Sequence, residues 1–122
     1  MKSLKVDFTK RCAEEPQKGH NRWHPDIPPA VEVEPGEEVV LQTRNAFDGE
    51  VTPDSRPEDL NNVNLGVVHP LTGPVYVQGA QPGDLLEVNI LEIEPASWGF
   101  TTIIPGFGFL RDVFLDPYIV HW

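Results

Sequence analysis

The chain has 122 residues with 9 basic and 19 acidic side chains, a formal net charge of −10. That length suits a single domain over residues 1–122, and that charge is repelled by nucleic-acid phosphates and anionic membrane surfaces, so neither is expected as a partner. One cysteine, Cys12, excludes an internal disulfide framework and a multi-cysteine zinc site, and no apolar run approaches the ~20 residues that span a bilayer.

Residues 1–18 form a polar lead-in without an apolar core segment, so they do not read as a secretory signal and a cytoplasmic protein is expected. A short strand is expected at Leu4–Phe8. Residues 19–30 cannot be helical, because Pro25, Pro28 and Pro29 remove amide donors and push the preceding residues to extended geometry. Val31–Val33 alternates as a strand, Pro35-Gly36 turns, and Val39–Thr43 forms the next strand. Residues 44–66 are a long polar excursion, the kind of loop that carries function or packs over a site. Within it Ser55-Arg56-Pro57-Glu58 reads as a capping box with proline just inside the start, predicting a turn or two of helix. Strands resume at Pro74–Val77, and Gln81-Pro82-Gly83-Asp84 turns into Leu85–Ile93. That last segment carries apolar residues on both faces and reads as a strand buried on both sides. The pattern strand, Pro-Gly-acid, strand thus occurs twice, either by duplication or because β-rich chains reuse good turns.

An apolar, glycine-rich stretch follows at Ile103–Leu110, and the strand-like run Tyr118–Trp122 ends the sequence. Two readings of that run stay open: a strand docked into its own sheet, or one whose covering elements lie on another chain or a continuation. With 13 prolines and 10 glycines set between short apolar runs, the fold class is all-β. A sandwich or jelly-roll-like domain with short strands and a long loop is expected.

Chemistry-bearing residues gather in a few places. His20, His24 and Asp26 lie in the proline-rich loop, where imidazole and carboxylate donors can share a divalent metal if the loop curls, or can simply brace its backbone. His69 precedes Pro70 and can orient a turn. Asp48-Gly49-Glu50 sets two carboxylates about a glycine, suited to metal binding, to a general base or to a solvated turn. Gly106-Phe107-Gly108 can let backbone approach a ligand, but no Lys-Ser/Thr follows to make a phosphate loop. Ser3, Ser55 and Ser97 lack a nucleophile elbow and Cys12 lacks an activating histidine, so metal-activated water is the better route to any hydrolysis.

Longer motifs carry a resemblance. His20-Asn-Arg-Trp-His-Pro-Asp-Ile-Pro-Pro29, the segment from Val68 through Gln81-Pro-Gly-Asp84 to Val88, Trp98-Gly-Phe-Thr101 and Pro105-Gly-Phe-Gly-Phe-Leu-Arg-Asp112 occur in the order found in the acetamidase/formamidase family. The resemblance covers roughly residues 19–122 and implies hydrolysis of formamide or a short aliphatic amide to a carboxylate and ammonia. It also implies a divalent metal, zinc by expectation, and an oligomer. Family enzymes are longer, and their later Gly-Asp-Gly-Glu type motif has no counterpart here. The chain therefore looks like the N-terminal part, inactive alone, whose expected partner is a homo-oligomer copy or a complementary C-terminal polypeptide. On this reading His20, His24 and Asp26 are the metal ligands, with His69 behind them. Asp48 and Glu50 take the proton from water, and Trp23 and Phe107 wall a small, closed pocket. The competing expectation is a non-enzymatic β-domain that serves oligomerisation or partner binding.

Overall fold

A computed structural model describes residues 1–122. The chain is mostly strands and loops, with three short 3₁₀ segments and no α-helix. No helix is long and apolar enough to cross a membrane. The strands are β1 (Lys2–Leu4), β2 (Gly19–His20), β3 (Val31–Val33), β4 (Val39–Leu41), β5 (Leu71–Thr72), β6 (Val75–Val77), β7 (Phe100–Ile103) and β8 (Tyr118–His121). They pair two by two into four separate ladders. β1 runs parallel to β4 and β3 parallel to β6, whereas β2 with β5 and β7 with β8 are antiparallel. The chain forms two compact units: Met1–Gly49 with Leu65–Val88, and Glu50–Asn64 with Asn89–Trp122.

In the first unit the expected turns are present, and the repeat extends to their side chains. Pro35 sets the first turn position and Gly36 takes φ 83° at the second, so the Glu37 amide donates to the Glu34 carbonyl at 3.0 Å. A Glu37 carboxylate oxygen accepts from the Glu34 amide at 3.1 Å and closes the corner. Pro82 and Gly83 (φ 101°) do the same, with the Asp84 amide bound to the Gln81 carbonyl and the Asp84 carboxylate accepting from the Gln81 amide at 2.8 Å. The first turn feeds β4, whose ladder with β1 is prolonged by the Gln42 amide donating to the Leu4 carbonyl at 3.1 Å. Leu4, Val6, Cys12, Val33 and Phe47 are the buried apolar side chains of this unit. Gly19 lies where β2 passes closest to β5: a Cβ there would stand 2.7 Å from the Leu71 carbonyl oxygen and 3.1 Å from the Cys12 sulfur.

In the second unit the β7–β8 ladder is closed by a reciprocal pair, Gly99 and Trp122 exchanging amide–carbonyl bonds of 3.1 and 2.8 Å. The terminal run is therefore a paired strand, which settles its local pairing. A 3₁₀ segment, Pro57–Asn62, packs beside β8. Val51, Leu60 and Ile104 are buried, the first two at 1% exposure.

Three expectations are corrected. The first strand lies at Lys2–Leu4 rather than Leu4–Phe8, because the chain turns at Asp7, whose carbonyl accepts from the Lys10 amide at 3.0 Å and whose carboxylate binds Thr9. The short helix is present but its cap is shifted by one residue. Asp59, not Glu58, accepts from the Arg56 amide at 2.8 Å, and the Ser55 hydroxyl instead accepts from the Thr52 amide. Finally, Leu85–Ile93 joins no ladder and is not buried on both sides: Leu85 is 100% exposed and Ile90 74%. Two-sided burial needs neighbouring strands and a layer on each face, and the eight strands here are already used in pairs.

Candidate functional site

The first unit holds a buried ionic network built on Glu15. Its carboxylate accepts from Lys18 Nζ and Arg44 Nη2, each at 2.5 Å, and from the Asp7 amide at 2.9 Å. Arg44 also donates to the carbonyls of Lys10 at 2.5 Å and Asp7 at 3.2 Å, so one guanidinium fixes the whole 7–18 segment. The Lys18 ammonium, then the Asp7 amide and the Arg44 charge, hold the Glu15 carboxyl below its ordinary value of 4.5.

A carboxyl lowered in the folded state stabilises fully above its ordinary value, and that contribution is lost as pH falls through the folded value. Stability should therefore fall below pH 4.5 in part through Glu15. In thermal melts recorded against pH, Glu15→Gln is expected to start less stable at neutral pH and to lose less on acidification. Parallel curves for the two proteins would show that Glu15 is not a source of the acid sensitivity.

Asp48 occupies the other end of this network. Its Oδ2 accepts from the Cys12 amide at 2.7 Å, capping the 3₁₀ turn Cys12–Glu14. Arg11 donates to its carbonyl, and Arg44 Nη1 stands 3.6 Å from Oδ1, a buried oxygen with no hydrogen-bond partner. The residue sits at φ 51°, a left-handed conformation that aspartate tolerates and most side chains do not. Asn45 holds the corner by accepting from the Phe47 and Gly49 amides, both at 3.0 Å. Burial, then the Asp48 carboxylate, pushes the Cys12 thiol up.

The other expected site residues are spread apart. His24 Nδ1 accepts from the Asp26 amide at 3.2 Å and lies 3.9 Å from the Asp26 carboxylate, with both side chains exposed. Trp23, just before His24, is 89% exposed. His20 lies in β2 opposite Leu71, its Nδ1 buried without a hydrogen-bond partner, and His69 is exposed just before β5. No three His, Cys, Asp or Glu side chains converge to hold a metal ion, so His20, His24 and Asp26 do not fit one as a complete set.

In the second unit Glu50 Oε2 accepts from the Asn64 amide at 2.7 Å and closes the 50–64 segment. Phe107 lines an apolar groove of about 420 Å³ with Ile103, Phe109 and Phe114. None of the side chains lining it titrates.

Two arrangements escaped the sequence reading. Arg44 with Glu15 had no local signal beyond the Glu15–Lys18 and Arg44–Asp48 spacings of three and four, since the partners come from distant segments. The other is the set of partners of His121, a residue whose place in the terminal strand already reads as structural: its Nδ1 accepts from the Trp98 indole at 3.1 Å and its Nε2 lies 2.9 Å from the Ser55 carbonyl. Indole only donates and carbonyl only accepts, so Nδ1 takes the acceptor role and Nε2 the donor role. His121 is thus a structural clasp.

Comparison with known proteins comes to one answer. The model of the acetamidase/formamidase family matches residues 5–122. An acetamidase of Mycolicibacterium smegmatis is 39% identical over 96% of this chain and 32% of its own length. A formamidase of Methylophilus methylotrophus is 36% identical over 98% of this chain and 31% of its own. A solved gamma lactamase from Delftia acidovorans superposes with a TM-score of 0.91 at 43% identity, over 100% of this chain and 31% of that one. The chain thus spans about a third of the length of the relatives it matches.

Proposed function

This chain belongs to the acetamidase/formamidase family, and from that premise we propose that it supplies the matched third of an enzyme hydrolysing formamide or a short aliphatic amide to a carboxylate and ammonia. The observation that carries the reading is the family match over nearly the whole chain, joined to side chains that do not complete a site by themselves. The remaining family polypeptide completes the site and adds strands that gather the four ladders into a sandwich or jelly-roll.

Within that assembly the chain's own residues have definite parts. In the reading Asp48 is the first proton acceptor, with Oδ2 fixed by the Cys12 amide and Oδ1 buried 3.6 Å from Arg44 Nη1. The Asn45 clasp and Arg11 hold that oxygen's backbone in place. Glu50 is the second acceptor in the reading. Trp23 and Phe107, both exposed, are each a substrate contact in the reading. A divalent metal, zinc by expectation, belongs to the same completed site, with His20, His24 and Asp26 short of a full donor set.

The test is ammonia release from formamide and acetamide by this chain alone, and by this chain co-expressed with a relative's polypeptide lacking the matched third. Activity is expected only from the pair. Hydrolysis by the chain alone would overturn the shared-site reading, and inactivity of a folded pair would overturn the amidase reading. Dialysed against zinc, the chain alone is expected to keep far less than a stoichiometric amount, and stoichiometric retention would restore His20, His24 and Asp26 as a self-sufficient set. The exposed apolar side chains from Leu85 to Ile93 favour a second reading, a partner-binding domain without catalysis.

A further inference from the structure

We propose that His121 is an acid-released latch: a proton on its Nδ1 frees Trp98 and loosens the open end of the β7–β8 ladder, while the hold on Ser55 survives. The inference goes beyond the amidase reading and does not depend on it. All three residues lie in the second unit.

The ring bridges two segments far apart in sequence. Nδ1 accepts from the Trp98 indole at 3.1 Å, and Nε2 lies 2.9 Å from the Ser55 carbonyl. The His121 and Trp98 rings are 5.8 Å apart at 27° to one another, and Trp98 in turn packs on Phe100 at 5.3 Å. The clasp stands where the ladder ends. His121 is opposite Phe100, and the next pair outward is Gly99 with Trp122, which exchange amide–carbonyl bonds. Trp98 precedes that last rung, and its indole bond ties it across to the other strand.

The two ring nitrogens differ in what acid does to them. An imidazole offers one acceptor and one donor, whereas an imidazolium offers two donors. Ser55 presents a carbonyl, so its donor is kept in either form. Trp98 presents an N–H, and a proton on Nδ1 meets it donor against donor. One half of the bridge is lost and the other half stays. Imidazoles as a class change charge between pH 5 and 8.

Few charged groups surround the ring. Residues 54–59, which include Ser55 and the start of the 3₁₀ segment packed against β8, carry Asp54, Arg56, Glu58 and Asp59. Of these, Asp59 is engaged by the Arg56 amide. Residues 95–99 and β7 carry none, and β8 adds Tyr118. The Glu15 network lies in the first unit and loses its contribution below pH 4.5, so the two acid responses separate by pH and by place.

The experiment follows the chain by NMR from pH 8 to pH 5, reading hydrogen exchange corrected for the intrinsic rate at each pH. Exchange at the Trp98 indole and at the Gly99 and Trp122 amides is expected to rise about tenfold on acidification, the loss of one hydrogen bond. The Gly73 amide, bound to the Lys18 carbonyl in the first unit, should not respond. His121→Gln carries an acceptor and a donor on a side chain that takes up no proton in this range, so its Trp98 indole should stay protected throughout. Trp98→Phe removes the indole donor, so exchange at Gly99 and Trp122 should already be fast at pH 8 and show no further step.

A Trp98 indole equally protected at pH 8 and pH 5 overturns the latch. So does an acid response that persists in His121→Gln, because the proton then acts elsewhere, and so does a response shared by the Gly73 amide. Should His121→Gln not fold, Trp98→Phe decides: a remaining pH step at Gly99 and Trp122 overturns the proposal, and its absence upholds it.

Discussion

Leu60→Ala should unfold the second unit at temperatures where the first persists. Leu60 sits in the 3₁₀ segment Pro57–Asn62, beside β8, and is 1% exposed. Truncating a fully buried leucine removes its transfer free energy and leaves a cavity, together about 2–5 kcal/mol. That is a large part of the few kcal/mol available to a small unit whose other deeply buried apolar side chains are Val51 and Ile104. The indole proton of Trp98, bound to His121, reports on this unit by NMR, while the Gly19–Thr72 pairing of β2 with β5 reports on the other. Loss of the Trp98 signal at lower temperature or denaturant, with the β2–β5 amides still protected, is the expected outcome. A midpoint changed by less than about 1 kcal/mol would mean that Leu60 is not a keystone of the unit.

Gly19→Ala should destabilise the first unit by about 1–3 kcal/mol, the usual cost of forcing a methyl into occupied space. The added carbon would meet the Leu71 carbonyl oxygen at 2.7 Å, and that oxygen belongs to backbone that cannot swing away as a side-chain tip can. Its other neighbour is the Cys12 sulfur at 3.1 Å, on the residue whose amide Asp48 caps. The strain therefore reaches from the β2–β5 ladder toward the ionic network. Urea unfolding should show a lowered midpoint at unchanged slope. Cys12→Ala in the same background removes the sulfur but not the carbonyl, so it should recover only part of the loss. Full recovery would place the clash on the sulfur instead.

Local chemistry was legible and distant pairing was not. Pro35-Gly36 and Pro82-Gly83 specify their turns through fixed and positive φ, properties carried by the two residues themselves. Val31–Val33 and the strand within Pro74–Val77 follow from alternation and turn spacing. Nothing local says that β1 runs parallel to β4, or that Glu15 meets Arg44, since those partners are chosen by tertiary packing. The misreading of 85–93 is of another kind. Its alternation is that of a strand suited to burial on both sides, but the segment joins none of the paired strands of these 122 residues and its apolar side chains are exposed.

Among the expected site residues, Asp48 is tied up in a cap that the Asp-Gly pair alone does not foretell, because the amide it binds is that of Cys12. His24 and Asp26 are neighbours, as their spacing allows, yet a third ligand never reaches them. A loop fixed by prolines keeps its donors near one another in sequence and gives them no reason to converge in space.

The parallel ladders set a timetable for synthesis. β1 leaves the ribosome first and has no mate until Leu41 emerges, and β3 must wait for Val77. Closing such distant pairs delays the reward for ordering the chain, so the nascent first unit lingers with sticky edges, at risk of clumping and in need of chaperone cover. The β7–β8 ladder joins nearer partners and should zip quickly once Trp122 has appeared.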